Sequence, residues 1–215
     1  RKASDEEVFA AAQRAMTRLG PGELTLAAIA AEAGVTAGAL VQRFGSKRAV
    51  LLALAAGAAE GAGAFIGELR AAHRSPLAAL RAYSDCMATM AASPAALARN
   101  LAYLQIDLTD ADFRRHLVVQ ARATRQGIAA LLADAVAAGE LAPSARPRVL
   151  ARTVEAVLSG SMLTWAFYRE GTGKLTITLG KGGVDDAEDA EVIVHEYGHS
   201  VQDDQVPGFG STPDA

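Results

Sequence analysis

Leu24-Thr25-Leu26-Ala27-Ala28-Ile29-Ala30-Ala31-Glu32-Ala33-Gly34-Val35-Thr36-Ala37-Gly38-Ala39-Leu40-Val41-Gln42-Arg43-Phe44-Gly45-Ser46-Lys47 is the stretch on which the fold turns. Thr25 is placed to cap a short helix from about Leu26 to Ala33, and Gly34 can take the left-handed conformation just past its end. Thr36 caps a second short helix, Ala37 to about Phe44, and Ser46 a third that continues through Val50, Leu51 and Leu54. Two short helices joined by a tight glycine turn make a helix-turn-helix. In that motif the second helix enters the major groove with its N-terminal residues nearest the base edges. Those residues are Thr36, Ala37, Gly38 and Ala39, all small, so the backbone can come close to DNA. Gln42 and Arg43 carry the groups that pair with adenine and guanine edges. From Gly34 to Ala59 the only charges are Arg43, Lys47 and Arg48, the kind of cluster that phosphate contact needs. An ordinary Ala-rich helical hairpin would show the same spacing, so spacing alone leaves DNA binding and plain packing both open.

Outward from this stretch the text stays helical. Val8, Ala12, Ala15 and Leu19 recur at helical spacing until Gly20-Pro21-Gly22. Pro76 and Pro94 stand where helices can begin. A long helix is expected from Phe113 through Leu117, Ala121, Ile128, Leu131, Leu132 and Ala135 to Gly139. Another follows Pro147 and carries Leu150, Val154, Val157, Leu158, Met162 and Trp165. Apolar residues are 51% of the 215, aromatics only 5%, and Ala dominates, which favours an all-α bundle. The longest apolar run, Ala49 to Ala59, stops at Glu60, so no membrane span and no membrane partner are expected. Cys86 is the single cysteine and no leader pattern opens the sequence, so the cytoplasm is the expected compartment. Asp107, Arg114, Arg115 and His116 could orient a polar ligand but read as solvated surface, and a lone histidine such as His73 warrants nothing more.

The net charge of −3 hides a split. Residues 1–173 carry 19 Lys and Arg against 15 Asp and Glu, whereas residues 174–215 carry two lysines against nine acids. At the same place Ala-rich text gives way to Lys174-Leu175-Thr176-Ile177-Thr178-Leu179, whose alternation reads as a strand. After Gly182-Gly183 a helix is expected from Asp185 to about Asp203.

The run from Leu24 to Lys47 resembles, in residue type and spacing, the DNA-binding signature of tetracycline-repressor (TetR) type regulators. The resemblance implies a helix-turn-helix head over residues 1–50 and a helical effector-binding and dimerisation region over 51–173; the tail over 174–215, read as strand then helix, lies outside it. It implies that Thr25 and Lys47 contact phosphates, and that Thr36, Ala37, Gly38, Ala39, Val41, Gln42 and Arg43 form the reading surface. An aromatic is usual in the family where Val41 stands, so its hydroxyl contact to phosphate is missing here. Tyr83, Cys86, Met87, Met90, Tyr103 and Phe113 are candidates to line an effector pocket, although core packing explains each singly. Val157, Ser159, Gly160, Ser161 and Trp165 are candidates for a dimer interface. The implied function is a ligand-responsive transcriptional regulator, a repressor released from a near-palindromic operator by a small-molecule effector. It would act as a homodimer, with no catalytic residue and no cofactor.

A second motif competes. His195-Glu196-Tyr197-Gly198-His199 places two histidines on one helix face with a glutamate between them, the arrangement of a zinc peptidase. The surrounding text, Gly182 to Gly210, resembles the active-site helix of thermolysin-like and fungalysin-like metallopeptidases. A catalytic zinc needs three protein ligands, and none of the sixteen residues after His199 is Glu. His195 and His199 would then hold zinc weakly at most, and peptidase activity is not expected.

Overall fold

The computed structural model describes residues 3–168. The strand expected at 174–179, the helix at 185–203, and His195 and His199 lie outside the described residues. Within them the order is α1 (Asp5–Arg18), α2 (Leu26–Ala33), α3 (Ala37–Phe44), α4 (Lys47–Ala72), α5 (Pro76–Ala88), a 3-10 turn at Thr89–Ala91, α6 (Pro94–Thr109), α7 (Ala111–Ala137) and α8 (Pro147–Tyr168). No strand occurs among the described residues, and the fold class is all-α as expected.

Local chemistry sets the ends of these helices. At α1 the Ser4 hydroxyl accepts from the Glu7 amide and the Glu7 carboxylate accepts from the Ser4 amide, a reciprocal cap. Asp5, Glu6 and Glu7 in the first turn complement the positive end of the helix dipole. Thr25, Thr36, Ser75 and Ser93 each accept an amide of the first turn of α2, α3, α5 and α6, and Ser46 accepts the Ala49 amide in α4. Gly34, at φ 67°, ends α2 in the left-handed region, where a side chain would be strained.

The packing divides the described chain into two units. The first comprises residues up to 62 together with 93–123. Its core joins Val8, Ala12 and Ala15 of α1, Leu24, Ile29 and Ala30 around α2, Leu40 of α3, and Val50 and Leu51 of α4. Tyr103 of α6 and Phe113 of α7 are buried in the same core, and the Tyr103 hydroxyl donates to the Leu19 carbonyl at 2.9 Å. The head therefore does not end at residue 50 by packing. It recruits aromatic side chains from about sixty residues downstream, because its three short helices supply mostly alanine.

Among the described residues the second unit comprises 63–92 and 124–168. Ile66, Leu80, Tyr83, Ile128, Leu131, Leu132, Leu150, Val154 and Leu158 form its core. Within it α4 and α7 approach so closely that a Cβ on Gly127 would lie 2.9 Å from the Cβ and Cγ2 of Ile66. Those atoms sit next to the backbone and cannot swing away. Gly127→Ala is expected to destabilise this unit by about 1–3 kcal/mol, read as a lowered denaturation midpoint. An unchanged midpoint would mean that the crossing relaxes freely.

Sequence reading expected no membrane-length apolar stretch, and α4 corrects it. The helix runs 26 residues, and its most apolar window has a mean hydropathy of 1.8, enough to cross a bilayer by length and composition alone. Glu60 interrupted the run without lowering the average enough. The helix buries Val50 and Leu51 in one core and Ile66 in the other.

Candidate nucleic-acid interface

α3 has two faces. Leu40 is 2% exposed and anchors the inner one, with Phe44 and Ala37 packed beside it. Thr36, Gly38, Ala39, Val41, Gln42 and Arg43 are exposed. Gly38 and Gln42 lie one turn apart on the outer side, with Val41 beside them. A Cβ on Gly38 would meet nothing within 4 Å. Internal packing therefore does not require glycine there, and its smallness matters only toward whatever approaches from outside. Thr25 and Thr36 use an oxygen lone pair to accept the Ala28 and Ala39 amides. Each hydroxyl proton stays free to donate to an external oxygen.

The three cations of this stretch are all engaged. Arg43 donates to the Ala3 carbonyl at 2.5 Å, pairs with Asp5, and lies 5.4 Å from the Phe44 ring centroid. Arg48 binds Asp110 through two nitrogens, reaches Asp112 at 2.9 Å, and lies over Phe113. Its guanidinium holds both carboxyls below the usual carboxylate range, and they raise its own pKa in turn. Lys47 differs. Its ammonium donates to the carbonyls of Pro21 at 3.0 Å and Leu24 at 2.8 Å, which steadies the loop before Thr25. Carbonyls do not cancel charge, and a lysine has three donors. The two carbonyls take two of its three N–H donors, and no carboxylate pairs with it among the described residues.

Sequence reading missed Arg14 and Arg18, which flank Glu32 from one side of α1 and fix α2 against it. Their spacing of four along α1 was the available signal. The six proposed effector residues are not gathered in one core. Tyr83 is buried in the second unit, where desolvation first and the nearby Glu155 charge next push its phenol up to about 12. Met87 packs partly against that core, whereas Cys86 and Met90 are exposed. Tyr103 and Phe113 belong to the head unit. Of the proposed dimer residues, Val157 is already buried within its own unit, Ser161 donates to the Val157 carbonyl, and Trp165 is half-buried. Ser159 and Gly160 are exposed. They continue, at helical spacing, into Leu163 and a Phe167 that is 75% exposed.

This arrangement defines a helix-turn-helix DNA-binding head joined to a helical body. Residues 8–54 match the family described as bacterial regulatory proteins, tetR family. Solved structures share the fold. A TetR transcription regulator from Haloarcula marismortui is 16% identical with a TM-score of 0.60, over 94% of this chain and 96% of that one. SmeT, repressor of a multidrug efflux pump of Stenotrophomonas maltophilia, is 23% identical with a TM-score of 0.52, over 78% and 81%. FadR from Bacillus subtilis, solved with stearoyl-CoA, is 18% identical with a TM-score of 0.56, over 77% and 89%. No curated protein matches the chain. These findings do not support the metallopeptidase resemblance of residues 174–215.

Proposed function

We propose that this protein is a ligand-responsive DNA-binding transcriptional regulator, a repressor that leaves its operator when a small molecule binds the helical body. The observation that carries this reading is the outer face of α3. It is exposed, small at Thr36, Gly38 and Ala39 beside Gln42, with packing space left open at Gly38. The family match over residues 8–54 supports the same assignment. Two copies pair through the exposed stripe of α8 at Ser159, Gly160, Leu163 and Phe167, so that two heads read a near-palindromic duplex. The effector is apolar in part, as stearoyl-CoA is in the Bacillus FadR complex. It works by preferring one spacing of the heads over the other. The protein is not an enzyme, needs no cofactor, and works in the cytoplasm where the chromosome lies.

Lys47 provides the test. Lys47→Ala should weaken binding to all duplexes alike and flatten the slope of log affinity against log salt by about one. A slope equal to the parent's would remove Lys47 from the phosphate contacts. No salt-dependent binding by the parent protein would remove the DNA-binding reading itself.

A further inference from the structure

The outer face of α3 offers little hydrogen-bonding capacity. Arg43, the one residue there suited to guanine, has its guanidinium committed to Asp5 and the Ala3 carbonyl. Gln42 is exposed and makes no hydrogen bond among the described residues. Beside it Val41 is 49% exposed, the one large apolar side chain among the exposed Thr36, Gly38, Ala39, Gln42 and Arg43 of this helix and its cap. Gly38, three residues earlier and adjacent on the helix, carries no side chain to cover the Val41 methyls. In the major groove only thymine presents a methyl group, and only adenine matches the two-point hydrogen bonding of a glutamine amide.

We infer that Val41 is a specificity-determining residue that packs against the C5-methyl of a thymine, next to an adenine read by Gln42. This rests on the DNA-binding reading above. The half-site would be selected chiefly for A·T pairs beneath α3, with Arg43 positioning the segment before α1 and reading no guanine.

Replacing thymine by uracil removes the methyl and keeps the base pair. On the duplex recovered by selection with the full chain, single uracil replacements are scanned along the half-site for the parent protein and for Val41→Ala. Val41 is exposed, so the variant should melt as the parent does. At one position uracil should weaken the parent about fourfold, the equivalent of one buried methyl, and should change the variant's affinity little. Uracil tolerated at every position, or an equal loss in the variant, would overturn the inference while leaving the regulator reading intact. A guanine required at the position lost in Arg43→Ala would overturn the role given to Arg43. No recovered duplex at all would sink both readings.

Discussion

Gly38→Leu is expected to abolish sequence-specific DNA binding while leaving the melting temperature within a few degrees of the parent's. A side chain at position 38 projects into open space, so nothing inside the head resists it. Leucine is also the better helix former, by several tenths of a kcal/mol, so stability should hold or rise slightly. The cost falls on the complex, because the helix can no longer seat in the groove and several base contacts lengthen together. At about 1–3 kcal/mol for each good contact, losing two or more weakens specific binding by roughly a hundredfold or beyond. Mobility-shift titration at fixed salt measures the affinity, and thermal unfolding measures stability. Specific binding within a fewfold of the parent would mean that α3 does not present this face to DNA.

Leu40→Ala should do the opposite on the same helix. Leu40 is 2% exposed and holds α3 against Ile29, Val50 and their neighbours. Truncating a buried leucine costs about 2–5 kcal/mol through lost burial and the cavity left behind. In a small alanine-rich core that is a large share of the stability, so the head should unfold at a lower denaturant concentration and lose DNA binding with it. An unchanged midpoint would show that the core closes around the gap. Two neighbouring positions on one short helix thus separate folding from recognition.

The local devices were legible in the sequence because each is encoded within a few residues. Thr25, Thr36, Gly34, Pro76 and Pro94 punctuate α2, α3, α5 and α6 where spacing placed them. The exposed small residues of α3 were legible for the same reason. The partners of the charges were not. Arg48 meets Asp110 across 62 residues of chain, and Arg43 meets the carbonyl of Ala3 across 40. Periodicity reports a helix face but not which distant element covers it. A cationic run consequently read as a phosphate-binding patch, although two of its three charges are matched by carboxylates. The burial of Tyr103 and Phe113 in the head was hidden by the same long-range pairing. On α8 small residues drew attention to Ser159 and Gly160, whereas the larger exposed side chains, Leu163 and Phe167, lie farther along the same stripe.

The claim on which the rest depends is that the outer face of α3 reads base sequence. Selection of the purified full chain on random double-stranded DNA at near-physiological salt, with Gly38→Leu selected in parallel, tests it most directly. The account predicts a two-fold symmetric site from the parent protein and no enriched site from the variant. Enrichment of the same site by both would contradict it, as would no enrichment by the parent.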